Sequence, residues 1–262
     1  MKLDRQYVEK PWGRFGLPSM FDAPPGKQIG EVWFTSDEVL PLLAKYIFTS
    51  ERLSIQDHPN DEQARARGLA QGKTECWYIL DAEPGAVLGL GLNREVSKEQ
   101  LRASSLDGSI ERLMDWRPVR AGDFYFVPAG TVHAIGAGIS LLEFQQNADV
   151  TYRLYDYGRP RELHLDDGIA VASPGPYPEE LVQHLSPNED RILVDGPHFI
   201  LAHSHQDIFG DRQRWVIPIE GEVRSGVDVA VAGDCLLIQP GETVSADGAR
   251  MLVGAVSSNR SA

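Results

Sequence analysis

The segment from Gly122 to His133, GDFYFVPAGTVH, restricts the fold more than any other part of the chain. It reads as a strand from Asp123 to Val127, a tight turn built on Pro128 and Gly130, and a second strand that His133 begins. GDCLLIQPGE at 233 to 242 echoes its opening, which reads as a weak internal repeat and predicts two units of one β architecture. Around the two copies, short strand-like runs alternate with Gly and Pro: 29–35, 45–49, 53–56, 76–80, 86–92, 139–144 and 150–155, then 191–194, 199–202, 215–219, 227–231 and 235–238. This punctuation predicts a mainly β chain, a small barrel or jelly roll. Cys76 to Leu80, CWYIL, is apolar without alternation, as a strand buried on both faces would be.

Other stretches depart from the pattern. Residues 1 to 29, with PWG at 11 to 13 and PPG at 24 to 26, read as loop material covering an edge. Asp61 to Ala70 has helical composition. Ser97 followed by Glu99 and Gln100 marks a helix start, and Leu101, Leu106, Ile110, Leu113 and Met114 recur at helical spacing. One or two short helices are expected over 97–116, broken near Asp107-Gly108. SPGPYP at 173 to 178 is the candidate linker, dividing the chain into 1–178 and a smaller β unit, 179–262.

Charge narrows the partners. With 38 acidic and 25 basic residues the formal net charge is −13, which argues against nucleic acid. An anionic substrate would need a local cluster of cations. Cys76 and Cys235 form no CxxC pair, which reads as reduced and cytoplasmic. The first residues have no apolar targeting core and no run is long enough to span a bilayer, so no membrane partner is expected. Nothing in the pattern fixes an oligomeric state.

LSIQDHPNDEQARARGLAQGKTE, from Leu53 to Glu75, carries candidate chemistry. Strand alternation puts Gln56 and His58 on one face and Asp57 on the other. An amide oxygen, an imidazole and the Glu75 carboxylate make an incomplete shell for a divalent metal. Glu31 reads as a buried, paired carboxylate. Trp12 and Trp33 could line a sugar site, with a core role favoured for Trp33. His198, His203 and His205 read as surface residues, because no histidine follows the second copy of the repeat.

The spacing from Gly122 to His133 resembles the second motif of the cupin superfamily, G(X)5PXG(X)2H, whose histidine binds the barrel's metal. LSIQDHPND at 53–61, GKTECWYIL at 72–80, PAGTVHAIGAG at 128–138 and QQNADVTYRLYDYGR at 145–159 together resemble the type I phosphomannose isomerases of that superfamily, in their short bacterial form. The likeness spans roughly the first 170 residues. It implies a cupin jelly-roll barrel with a short helical insertion, and a second, smaller cupin-like β-domain without a metal site. It further implies one Zn2+ per chain on Gln56, His58, Glu75 and His133, and a phosphosugar substrate held by Lys45, Ser54, Lys73 and Arg153. Glu143, Arg153 and Lys73 would then interconvert mannose 6-phosphate and fructose 6-phosphate through an enediol. Asp57, where relatives carry a small or apolar residue, and the loose QQNAD segment depart from the family. They leave room for a cupin that holds metal and binds sugars or regulates without turnover. A different cupin metalloenzyme, such as an iron dioxygenase, is a further alternative, against which Gln56 argues.

Overall fold

A computed structural model describes residues 1–258. In chain order the elements begin β1 (Asp4–Phe15), β2 (Gln28–Thr35), β3 (Leu42–Phe48), β4 (Ile55–Asp57), α1 (Asp61–Arg65), β5 (Glu75–Ala82), β6 (Val87–Leu92), α2 (Lys98–Asp107) and α3 (Ile110–Leu113). They continue with β7 (Met114–Pro118), β8 (Asp123–Val127), β9 (His133–Ile135), β10 (Ile139–Gln146), β11 (Tyr152–Tyr155), α4 (Leu165–Val171) and β12 (Val182–His184). The last are β13 (Arg191–Asp195), β14 (Phe199–Ser204), β15 (Arg214–Glu220), β16 (Glu222–Ser225), β17 (Asp228–Val231), β18 (Leu236–Ile238) and β19 (Arg250–Val256).

A seven-stranded sheet, β1-β2-β3-β10-β5-β8-β12, faces a five-stranded one, β11-β4-β9-β6-β7. Trp12, Ile47, Leu53, Trp77, Ile79, Leu88, Leu90, Tyr125 and Leu141 fill the space between them. The second unit is a five-stranded sheet, β13-β14-β19-β15-β18, with the hairpin β16-β17. Alternation along β10 explains how they join. Leu141 points into the first barrel, while Leu142 and Phe144 point out and pack with Phe199, Trp215 and Leu252 of the second unit. The seven-stranded sheet is thus covered on both faces, so every residue of β3 and β10 is buried. The unbroken apolar run at 76–80 has the same cause.

The helices cover the outer face of the five-stranded sheet, where Ile55, Leu92, Leu101, Ile110, Leu154 and Ile169 cluster. Helix α2 starts as its sequence predicts: the Gln100 N–H donates to Ser97 Oγ at 3.2 Å, and the Ser97 N–H to Gln100 Oε1 at 3.0 Å. It ends at Gly108, whose left-handed φ of 77° suits glycine because it has no Cβ to strain.

The internal repeat is realised in the backbone. Asp123 Oδ2 accepts from the Arg120 N–H at 2.9 Å, and Asp234 Oδ2 accepts from the Val231 N–H at 3.1 Å. The two turns that follow place Gly130 at φ 85° and Gly241 at φ 82°.

Three expectations need correction. Residues 1 to 29 are not mainly loop: β1 is a 12-residue strand paired with β2, its register broken between Glu9 and Arg14 around Pro11 and Gly13. An edge strand tolerates a proline there because the missing N–H faces no partner strand. The division at Ser173–Pro178 comes a few residues early, since β12 still pairs with β8; Ser173 bridges Thr131, Pro176 bridges Gly91, and the buried Tyr177 donates its hydroxyl to the Phe126 carbonyl. Third, His203 is fully buried rather than on the surface, its ring stacked 5.9 Å from that of Tyr78 where the two units meet.

Candidate metal centre and active site

The site lies in the first barrel and is assembled by strand register. Gln56 on β4 sits opposite His133 on β9 and Arg153 on β11. Across the seven-stranded sheet one row runs Trp33, Lys45, Glu143, Trp77, Tyr125. Glu75 opens β5 opposite Gln145 on β10. Gln56, Lys45, Ser54, Lys73, Glu75, Glu143 and Arg153 all line one cavity.

Between His58 and Lys73 the chain makes an excursion that must return to its start. Asn60 caps α1 in a reciprocal box with Gln63. The Lys73 N–H then donates to the Pro59 carbonyl at 2.9 Å. This return needs Gly72, where a Cβ would stand 2.4 Å from Pro59 O. On the other side the Gly130 N–H donates to the His58 carbonyl at 2.8 Å, tying the turn before His133 to the first motif.

His58, Glu75 and His133 are all buried, and their ligand atoms lie within 4.8 Å of one another. Among the described residues this is the one group of three or more His, Cys, Asp or Glu side chains so placed. His133 Nδ1 is 2.8 Å from the Thr131 carbonyl, so that nitrogen carries the proton and Nε2 keeps its lone pair. His133 Nε2 stands 3.4 Å from Glu75 Oε1, and His58 Nε2 stands 3.6 Å from Glu75 Oε2. Gln56 Nε2 lies 3.3 Å from His133 Nε2, and Ser54 Oγ donates to Gln56 Oε1 at 2.9 Å. Turning the Gln56 amide by half a rotation brings its oxygen to the cluster, with the Ser54 hydroxyl then accepting.

Protonation suits a cation here. Burial, then the Lys73 ammonium, pushes His58 down to about 3, and burial lowers His133 too, so both rings are neutral. Burial would raise Glu75, but the Lys73 ammonium beside it holds it well below the usual carboxylate range. Two neutral imidazoles, a carboxylate and an amide oxygen match the donors a divalent transition metal takes.

Glu143 lies beside this group. Trp77 Nε1 donates to its Oε2 at 3.1 Å, while Lys45 Nζ and Lys73 Nζ stand 3.0 and 3.5 Å from Oε1. Burial, then the charge on Glu75, raises Glu143 above the ordinary carboxylate range, against the pull of the two lysines. Lys73 Nζ also reaches Glu75 Oε2 at 2.7 Å. Arg153 differs from the lysines. Its Nη1 donates to the Glu162 carbonyl at 3.4 Å, and among the described residues it makes no ion pair with a carboxylate. Asp57 faces away from the metal-type group, as alternation predicts, with both oxygens buried and without a hydrogen-bond partner among the described residues.

Beside Glu31 and Trp33, which the sequence already singles out, the structure brings in Lys10, which it does not. Lys10 lines the cavity from β1, Glu31 pairs with it and with Lys45, and Trp33 donates its indole N–H to Glu31. Alternation in IGEVWFT already puts Glu31 and Trp33 on one face. What lay outside the sequence was the register setting Trp33 opposite Lys45.

No family model matches the chain. It is 45% identical over 229 residues to the mannose-6-phosphate isomerase ManA of Bacillus subtilis, covering 72% of each sequence. It is 40% identical over 173 residues to the mannose-6-phosphate isomerase of Streptococcus mutans, covering 63% of this chain and 54% of that one. The chain thus spans only about half the length of that relative. Among solved structures, the mannose 6-phosphate isomerase from Bacillus subtilis matches with a TM-score of 0.76 at 26% identity, over 97% of this chain and 98% of that chain.

Proposed function

This chain belongs to the mannose-6-phosphate isomerase family, and from that premise we propose that it interconverts mannose 6-phosphate and fructose 6-phosphate in the cytoplasm, using one zinc ion. The observation that carries the reading is geometric: Glu143, buried between Lys45 and Lys73, shares one cavity with Arg153 and with Glu75 of the His58, Glu75, His133 group.

Gln56, His58, Glu75 and His133 would hold the ion. Bound there, zinc supplies Lewis acidity that orients and polarises sugar oxygens. The chain's own residues do the rest. Glu143 takes a proton from one of the two carbons, C1 or C2, of the open-chain sugar and returns it to the other. Burial raises its proton affinity above that of an ordinary carboxylate, which favours taking the proton up before handing it back. Arg153 and Lys73 stabilise the charge that develops on the enediol oxygens. Lys45 and Ser54 line the same cavity and position the substrate. Arg153, without a carboxylate ion pair among the described residues, is the cation most available to an anion. On this reading the metal-binding cupin is the barrel that ends with β12, a few residues past the expected boundary at 178, and the strands from β13 onward form a cupin-like unit without a metal site.

The test is turnover of mannose 6-phosphate by purified protein, with metal content measured before and after chelation. Zinc near one equivalent, activity lost on chelation and restored by zinc is the expected result. Bound metal without turnover would sink the isomerase and favour a cupin that binds sugars or regulates.

A further inference from the structure

Two carboxylates in the cavity have matching surroundings. Glu31 is held by Lys10 at 3.3 Å on Oε1, by Lys45 at 3.4 Å on Oε2 and by the Trp33 indole N–H. Glu143 is held by Lys45 at 3.0 Å and Lys73 at 3.5 Å on Oε1, and by the Trp77 indole at 3.1 Å on Oε2. Lys45 belongs to both. The result is an alternating chain, Lys10, Glu31, Lys45, Glu143, Lys73, Glu75, running from the cavity rim to the metal-type group. Side chains of Glu31, Lys45, Glu143 and Lys73 are at most 8% exposed, whereas Lys10 is 28% exposed.

A buried carboxylate stripped of one of two cations recruits the other more strongly, because water at the rim replaces the lost charge only in part. Without the Lys10 charge, Glu31 would draw Lys45 towards itself and away from Glu143. We propose that Lys10 is a positioning residue: by satisfying Glu31 it leaves Lys45 shared, and so keeps the Lys45 ammonium on Glu143. Lys10 acts through three ion pairs on Glu143, the residue that meets the reacting carbons. Its kinetic consequence rests on the isomerase reading; its structural consequence does not.

The test is a double-mutant cycle. Lys10→Met keeps the stem and removes the charge; Glu31→Gln keeps an acceptor for the Trp33 indole and removes the competitor for Lys45. With mannose 6-phosphate, Lys10→Met lowers kcat by about tenfold or more, with KM within about twofold and metal content unchanged. Lys10→Arg retains most of the activity. Glu31→Gln alone does not raise kcat, yet the double variant, Lys10→Met with Glu31→Gln, is more active than Lys10→Met alone, a reversal of sign that independent sites cannot produce. A crystal structure of metal-loaded Lys10→Met shows Lys45 Nζ displaced from Glu143 towards Glu31. A raised KM with unchanged kcat, or a double variant no better than Lys10→Met, overturns the proposal, because either makes Lys10 a substrate contact or a packing residue. Lys45 unmoved in that crystal structure overturns it as well. A wild-type protein that does not turn over, with Lys45 displaced in Lys10→Met, sinks the isomerase reading and leaves the positioning role standing.

Discussion

Replacing Asp57 by Asn should stabilise the protein by an amount that grows with pH. The carboxyl is fully buried, both oxygens lack hydrogen-bond partners among the described residues, and a Cβ on Gly168 of α4 would stand 3.2 Å from Oδ1. Burial raises its pKa well above the usual range, opposed only by the distant charge of Lys98. The folded state therefore keeps its proton at pH values where the unfolded chain has lost it. With the folded pKa above the unfolded one, stability is full below the unfolded value and falls as pH rises towards the folded value. The slope in that window is about 1.4 kcal/mol per pH unit, and Asn, which does not titrate, escapes it. Urea unfolding of both proteins, each with excess zinc, at about pH 5 and 6 measures the gap; metal linkage is common to both and cancels in the difference. The gap should widen by about 1 kcal/mol, or about 2–4 °C in Tm, across that unit. Parallel curves would refute the reasoning, since they would mean that Asp57 has a partner when folded.

Three further outcomes follow from particular contacts. His133→Ala should lose both metal and turnover, whereas Arg153→Ala should retain metal and lose about 10²–10³ in kcat; metal analysis beside the activity assay separates them. In the second unit Arg214 is fully buried and paired through Nε and Nη2 with Asp207 at 2.7 and 2.6 Å, so Arg214→Met should cost about 3 kcal/mol by denaturant unfolding. Gly254→Ala would set a Cβ 2.4 Å from Phe144 Cζ; it should cost about 1–3 kcal/mol, and Phe144→Leu should recover part of that in the double variant.

The turn before His133 was legible because its constraint is local: Pro128 and Gly130 specify a backbone path whatever surrounds them. The same holds for Ser97 and Gln100, whose side chains cap a helix from within one turn. Strand β1 was not legible, because Pro11 and Gly13 read as breakers until a sheet edge makes them tolerable. The partnership of Lys45 with both Glu31 and Glu143 was also hidden. It depends on β3 lying between β2 and β10, and on a register in which Trp33, Lys45 and Glu143 fall in one row, facts of pairing rather than of any one strand. His203 misled for a related reason: with no second motif to give it a metal it reads as exposed until another unit is packed on it.

The two-faced burial of the seven-stranded sheet bears on how the protein can be cut. Its outward residues Phe34, Tyr46, Phe48, Tyr78 and Phe144 share one cluster with Phe199, Trp215 and Leu252. Deleting the second unit would not free a smaller catalyst. It would bare a sticky aromatic wall on the back of the strand that carries Glu143, and such a fragment should aggregate rather than turn over.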